Sequence, residues 1–144
     1  MDTIGTGNAA NDLAARFGAV REQTLTLSAP LEIEDFVPQV VEFVSPTKWH
    51  LAHTTWFFEE LILAKFVEDY DKFNEHFSFL FNSYYNSVGI RTLRSERGAL
   101  SRPTVKEVYA YRKYVDDAMQ KLLAGIPAYA NPLEIEGLIT LGIN

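Results

Sequence analysis

The chain has 144 residues, of which 47% are hydrophobic, so it is long enough for one domain with a substantial core. A net charge of −6 disfavours a nucleic-acid-binding protein, which needs a concentrated basic surface. The sequence contains no cysteine, which excludes disulfides and thiolate chemistry and fits a cytoplasmic protein. We expect no signal peptide and no membrane span, because no sufficiently long apolar run is present.

The N-terminal part predicts one helix followed by an irregular crossing segment. Residues 1–10 are small and polar, and we expect them to be disordered. Asn11 or Asp12 can cap a first helix that ends near Leu27, since Pro30 cannot continue it. Its apolar positions roughly follow the helical period and are Leu13, Phe17, Val20, Leu25 and Leu27. Residues 31–44 lack a helical pattern or a partner strand, and we interpret them as a loop.

The second predicted helix has the clearest signals. Ser45 is a good N-cap and Pro46 suits the first helical position, and the pattern continues to about Val67. One face of this helix carries Trp49, His53, Trp56, Glu60, Leu63 and Val67. His53 therefore lies on the apolar stripe, and His50 lies toward its edge.

Two further helices follow. Thr104 and Glu107 have the spacing of a capping box, and Gly125 suits a left-handed cap after a long third helix. Asn131 followed by Pro132 begins a fourth helix, whose apolar pattern still runs at the last residue. We expect this helix to be truncated, although bundle helices also vary in length. The elements predict an all-α four-helix bundle with up-down-up-down topology.

The chain's three histidines are the main candidates for metal chemistry. Imidazole is the commonest protein ligand for transition metals, and His50-x-x-His53 places two rings on one helix surface. A stable site needs three or four ligands, and His76 could add one from a loop. Glu60 could accept a hydrogen bond from the His53 ring. The alternatives are a hydrogen-bonded core histidine and a glutamate with its carboxylate in water.

Residues between the second and third helices supply candidate binding groups. Arg91, Arg94 and Arg97 recur every three residues and could clamp a carboxylate, since guanidinium binds carboxylates through two parallel hydrogen bonds. The alternative is a solvated loop with surface ion pairs. Tyr84 and Tyr85 could present hydroxyls to a pocket, although aromatic residues more commonly pack in a core.

Long segments of the chain resemble a known family of enzymes. The matching segments are Ser-Pro-Thr-Lys-Trp-His-Leu-Ala-His-Thr-Thr-Trp-Phe-Phe-Glu at 45–59, Leu-Phe-Asn-Ser-Tyr-Tyr-Asn-Ser-Val-Gly at 80–89, Arg-Gly-Ala-Leu-Ser-Arg-Pro at 97–103 and Leu-Glu-Ile-Glu-Gly-Leu-Ile-Thr-Leu-Gly-Ile-Asn at 133–144. They resemble the N-terminal DinB-like helix-bundle domain of the ergothioneine-biosynthesis sulfoxide synthases. The resemblance implies that residues 11–144 are one DinB-like domain.

The resemblance also implies a function. Members of this family are non-haem Fe(II) oxidoreductases that use oxygen to join a cysteine-containing thiol to the imidazole of trimethylated histidine (hercynine). Their iron is held by three histidines, of which His53 matches one. The other two form a His-x-x-x-His pair that would follow Asn144, and a second, formylglycine-generating-enzyme-like domain follows that pair. The resemblance therefore implies that this chain alone is inactive and binds no iron tightly.

The family match also assigns roles to the basic stretch. Arg94 and Arg97 match residues near the carboxylates of the thiol substrate, with Arg91 offering a competing register; Tyr84 and Tyr85 are the other substrate-binding candidates. The alternative function is a stand-alone DinB-like helical module that self-associates through exposed apolar surface without catalysis.

Overall fold

The computed structural model describes residues 6–83 and 92–144, and every regular element within those ranges is helical. The prediction of an all-α fold is confirmed to that extent. The helices are α1 (Thr6–Ser28), α2 (Thr47–Phe58), α3 (Ala64–Phe66), α4 (Phe77–Leu80), α5 (Val105–Ala124) and α6 (Pro132–Ile143). None of them is both long and apolar enough to cross a membrane.

Helix α1 begins at Thr6, ahead of the cap that the sequence predicts at Asn11 or Asp12. Alanines precede that cap, and a helix that has already nucleated extends through alanine at little cost. The buried side chains of α1 also differ from the predicted stripe: Leu13, Phe17 and Arg21 are buried, whereas Leu27 is 73% exposed. Arg21 takes a core position because Asp116 on α5 pairs with it at 2.7 Å.

Helix α2 runs without a break through a π-helical turn (Glu59–Leu63) into α3. Pro46 is its N-cap residue, and the helix ends where Val67 turns extended, close to the predicted end. A π turn inserts one extra residue into the helical repeat, so the buried face rotates within it. Glu59, the first residue of this turn, is buried at 2% exposure, whereas the predicted stripe residue Glu60 is only partly buried. Glu59 continues the regular helical spacing of the buried Ala52 and Thr55.

The capping signals of the last two long helices are confirmed. The Glu107 N–H donates to Thr104 Oγ1 at 3.1 Å, and the Thr104 N–H donates to Glu107 Oε2 at 2.6 Å. Asn131 Oδ1 accepts from the Leu133 N–H at 3.1 Å. The predicted left-handed cap at Gly125 is wrong, because that residue has an extended backbone with φ −164° and its N–H bonds the Leu122 carbonyl instead.

The four long helices share one core, since α1 and α2 each pack against both α5 and α6. The largest fully buried apolar side chains are Phe17, Trp56, Phe58, Ile62, Leu63, Phe81, Tyr111, Met119, Ile135 and Ile139. Helix α6 packs tightly on α2 at Gly142, where an added Cβ would lie 2.7 Å from ring carbons of both Phe57 and Phe58. A glycine is therefore needed at this contact.

Residues 31–44 cross one end of the helices as an irregular segment, as predicted, apart from a 3₁₀ turn (Ile33–Phe36). Phe36 anchors this segment by packing edge-on against Tyr109 at 6.1 Å. A second 3₁₀ helix (Arg94–Ala99) precedes α5. It lies beside the segment 31–44, because the Gln39 side chain hydrogen-bonds the backbone of both Arg94 and Gly98. These two segments form one wall of the candidate site.

Candidate functional site

His53 is held in one orientation by a backbone carbonyl. Its Nδ1 lies 2.6 Å from the Phe81 oxygen. A carbonyl oxygen can only accept, so Nδ1 carries the proton and donates it. In the neutral ring Nε2 then has the lone pair, and it makes no hydrogen bond to the described residues. Metal-binding histidines commonly have this arrangement, in which one ring nitrogen binds the metal and the other donates a hydrogen bond to a group that is not a metal ligand.

Two tryptophans of the same helix sandwich the His53 ring. The ring centroids of His53 and Trp49 are 4.6 Å apart with planes at 14°, and those of His53 and Trp56 are 5.6 Å apart with planes at 16°. Both tryptophans are buried, and Trp49 Nε1 donates to the Leu80 carbonyl at 3.0 Å. The spacing of Trp49, His53 and Trp56 along α2 therefore restricts the imidazole to one plane.

Arg97 covers this stack as a buried cation. Its side chain is 4% exposed, and its guanidinium carbon lies 3.5 Å from a Trp49 ring centroid, which is a close cation–π contact. Nη1 donates to Ser45 Oγ at 2.8 Å, and Nη2 donates to Ser83 Oγ at 3.4 Å. Arg97 thus connects its own 3₁₀ helix with Ser45 just before α2 and with Ser83 after α4.

His53 opens onto a cleft of about 360 Å³. Its lining residues are Phe43, Val44, Ser45, Trp49, His50, His53, Ser83, Arg94 and Arg97. The walls combine two imidazoles and two guanidinium groups with hydroxyls and apolar side chains, and the described residues contribute no carboxylate to them. The cleft is therefore suited to an anionic ligand, in a protein whose net charge is −6.

Burial, together with the charges around the cleft, lowers the pKa of both imidazoles and so favours their neutral form. Burial lowers the pKa of His53 below its usual 6.5, the Phe81 carbonyl raises it in part, and the Arg97 charge lowers it again. Burial, then the charges of Arg97 and Arg94, also lower the pKa of His50. Neutral imidazole is the form that binds a metal ion, so His53 is available as a ligand at neutral pH.

The structure brings some of the predicted residues together and leaves others apart. His53, His50, Arg94 and Arg97 share one cleft. His76 lines a different one, with Phe79 and Arg102 among its neighbours. The remaining candidates, Tyr84, Tyr85 and Arg91, lie outside the described residues.

Glu60 does not orient the His53 ring, so the first of the two interpretations offered for this residue is wrong. Glu60 instead accepts hydrogen bonds from Lys72 and from Ser78, both at 2.9 Å. The hydrogen bond from the His53 ring goes to the Phe81 carbonyl. A backbone acceptor 28 residues away has no signature in the sequence, so this partner could not be found from side-chain types.

Sequence reasoning also missed the most buried carboxylate. Glu59 Oε2 accepts hydrogen bonds from Tyr70 Oη at 2.8 Å and from the Phe73 N–H at 3.1 Å, and Oε1 accepts from Tyr111 Oη at 3.2 Å. Burial raises the pKa of Glu59, although these three donors oppose the shift. The only signal was a glutamate directly after an aromatic run.

The described residues do not form a complete metal centre. No group of three or more histidine, cysteine, aspartate or glutamate side chains converges within 6–83 and 92–144. The residues fit one metal ligand, His53, and not a set of three. A scan of the chain against models of known protein families finds no match, and a search of curated proteins finds no relative.

Proposed function

We propose that this chain is the DinB-like, up-down-up-down helix bundle of an iron-dependent sulfoxide synthase of ergothioneine biosynthesis, acting in the cytoplasm. In this proposal His53 provides one ligand of Fe(II). The observation that carries the proposal is the fixed tautomer of His53, with Nδ1 bonded to the Phe81 carbonyl and Nε2 left with its lone pair. The resemblance of residues 45–59 to the family's histidine motif supports it.

The proposal requires two further ligands from outside the described residues. The resemblance implies a His-x-x-x-His pair that would follow Asn144, and a second domain after it. Bound Fe(II) would supply oxygen activation for joining the thiol to hercynine. The residues of this chain have the tasks of orienting one imidazole and of keeping it unprotonated through burial and the nearby Arg97 charge. By itself the chain is then inactive and holds iron weakly.

Substrate binding follows from the same cleft. Arg94 and Arg97 both line it, and guanidinium groups bind carboxylates with paired hydrogen bonds. We assign the carboxylates of the cysteine-containing thiol to this wall. Arg97 is already committed to Ser45 and Ser83, so Arg94, which is solvent-exposed, is the more accessible contact. Tyr84 and Tyr85 stay predictions as substrate-binding residues.

The test is an anaerobic Fe(II) titration of two proteins. One is the 144-residue chain, and the other is the same chain extended by the sequence encoded after Asn144. We expect one equivalent of iron to bind tightly to the extended protein and only weakly to the short one. His53→Asn should abolish tight binding, and the matched control His76→Asn, whose side chain lines another cleft, should retain it.

Three results would contradict this proposal. They are tight binding of one equivalent by the short chain, unchanged iron binding in the extended His53→Asn variant, and a downstream sequence that encodes no pair of histidines. Each removes a different premise: the need for outside ligands, the role of His53, or the family match.

The alternative function is a self-associating helical module without catalysis. One observation favours it: several large apolar side chains are strongly exposed, among them Val40 at 84% and Phe43 at 73%. Folded monomers rarely expose large contiguous apolar patches unless these bind something.

A further inference from the structure

The acceptor of the His53 proton is a carbonyl at the end of a very short helix. Helix α4 has four residues (Phe77–Leu80), too few to be stable without tertiary contacts. The last carbonyls of a helix have no partner within it. Two consecutive carbonyls at this end accept from α2: Leu80 O from Trp49 Nε1 at 3.0 Å, and Phe81 O from His53 Nδ1 at 2.6 Å. The orientation of His53 therefore depends on how these two peptide groups are held.

Stacking alone does not select the tautomer of His53. The rings of Trp49 and Trp56 lie nearly parallel to the imidazole, at 14° and 16°, so they fix its plane. The imidazole could keep this plane with its proton on either nitrogen, or after a half turn about χ2. The hydrogen bond to the Phe81 carbonyl is the described contact that distinguishes the two nitrogens. The direction of this carbonyl therefore decides which nitrogen keeps its lone pair.

The other anchors of α4 hold side chains rather than this carbonyl. Ser78 Oγ donates to a carboxylate of the π turn at 2.9 Å, and the ring of Phe81 packs edge-on against Phe77 with centroids 5.1 Å apart. These contacts fix the helix and the Phe81 ring, but they leave the peptide planes after Leu80 able to rotate. The indole of Trp49 bonds the carbonyl directly before Phe81, so it restrains that rotation.

We propose that Trp49 is a positioning residue for the metal ligand: its indole N–H holds the Leu80 carbonyl, and thereby the Phe81 carbonyl that keeps the His53 proton on Nδ1. An indole suits this task because it joins a flat stacking face and a donor in one rigid group. It is itself immobilised, since it is 3% exposed and covered by the Arg97 guanidinium at 3.5 Å. The inference rests on the proposed function for Fe(II), but the tautomer is measured without metal.

Trp49→Phe tests this role, because it keeps an aromatic face and removes the donor. Long-range ¹H–¹⁵N spectra of the 144-residue chain at neutral pH should show the Nε2-protonated population of His53 rising about fivefold or more, as the loss of one hydrogen bond allows. The matched control is Tyr111→Phe, which also removes one buried ring donor, 3.2 Å from Glu59 Oε1. Its His53 tautomer should match wild type. Circular dichroism shows that each variant is folded.

Two further measurements extend the test. In the extended protein, Trp49→Phe should weaken Fe(II) binding by about 10–100-fold, as the loss of groups that orient metal ligands does. In wild type, the Trp49 indole N–H should exchange slowly with deuterium, and this measurement needs no variant.

Three results overturn the proposal. They are a folded Trp49→Phe with the wild-type tautomer ratio, an equal change in Tyr111→Phe, and a Trp49 N–H that exchanges as fast as an exposed indole. Unchanged iron binding in the extended His53→Asn variant would instead overturn the proposed function, and the two failures are therefore distinguishable.

Discussion

His53 and Glu59 lie roughly two turns apart on one continuous helix, and their surroundings are opposite. Glu59 is 2% exposed and accepts three hydrogen bonds, two from tyrosines and one from the backbone. His53 has one bonded nitrogen and one that makes no hydrogen bond to the described residues, at the wall of an open cleft. Glu59 is therefore enclosed among its donors, whereas His53 lines a cleft that a ligand can enter.

The comparison shows what distinguishes a polar residue that stabilises the fold from one that is available for binding when both lie on the same helix. A buried group whose hydrogen-bonding capacity is filled contributes to stability, because removing it leaves its partners unsatisfied. A partly exposed group with one fixed and one open position is preorganised for binding. Exposure alone would not separate them, because both residues are at least partly buried.

The largest effect is expected at Glu59. Glu59→Ala should lower the free energy of unfolding by about 3 kcal/mol, because three donors lose a carboxylate acceptor in a buried setting. The matched control is Glu60→Ala, which removes a partly exposed ion pair with Lys72 and should cost about 1 kcal/mol or less. Urea unfolding measures both. Equal losses for the two variants would end the distinction between Glu59 and its neighbour.

A smaller effect is expected where α6 packs on the helical segment between the two residues. Gly142→Ala would place a Cβ 2.7 Å from ring carbons of Phe57 and Phe58, and we expect a loss of about 1–3 kcal/mol from overpacking. Gly137→Ala on the same helix meets nothing within 4 Å and should stabilise the protein by about 0.5–1 kcal/mol. Thermal unfolding of the pair should shift in opposite directions; a shift in the same direction would refute the close contact.

The smallest effect is the pH dependence of stability, where the two residues act with opposite signs. The raised pKa of Glu59 makes the folded state bind a proton more readily, so stability falls as pH rises from 4.5 to the folded value. The lowered pKa of His53 makes stability rise with pH up to 6.5, and this contribution is lost as pH falls through the folded value.

Denaturant unfolding from pH ~4 to ~8 separates these contributions. His53→Asn should reduce the rise in stability that wild type shows on approaching pH 6.5, with the remainder due to His50, whose pKa is also lowered. Glu59→Gln should reduce the fall above pH 4.5, with the remainder due to Asp116, whose pKa burial also raises. If His53→Asn had the same pH profile as wild type, the His53 environment described above would be wrong.

Local signals predicted much of the fold. The Thr104–Glu107 capping box and the Asn131 cap act within a few residues, so they can be read from the sequence alone. The end near Val67 of the continuous helix formed by α2, the π turn and α3 was also predicted, as was the irregular segment 31–44. The cap geometry at Gly125 was not, because its N–H is satisfied by Leu122 and needs no left-handed turn.

The missed features depend on contacts between distant parts of the chain. Arg21 is buried only because Asp116 lies opposite it, 95 residues later. Glu59 rather than Glu60 lies in the interior, where the hydroxyls of Tyr70 and Tyr111 donate to its carboxylate from other parts of the chain. For the site, the helical stripe predicted His53 and its tryptophan neighbours, whereas the Phe81 carbonyl emerges only from the tertiary fold.

The tautomer of His53 tests the central claim most directly. Long-range ¹H–¹⁵N correlation spectra of the 144-residue chain at neutral pH distinguish the protonated from the bare ring nitrogen of each histidine, and His53→Asn assigns the signals. We predict that His53 carries its proton on Nδ1 and has an unprotonated Nε2. A His53 ring protonated on Nε2, or on both nitrogens, would contradict the account, because Nε2 would then have no lone pair to bind a metal.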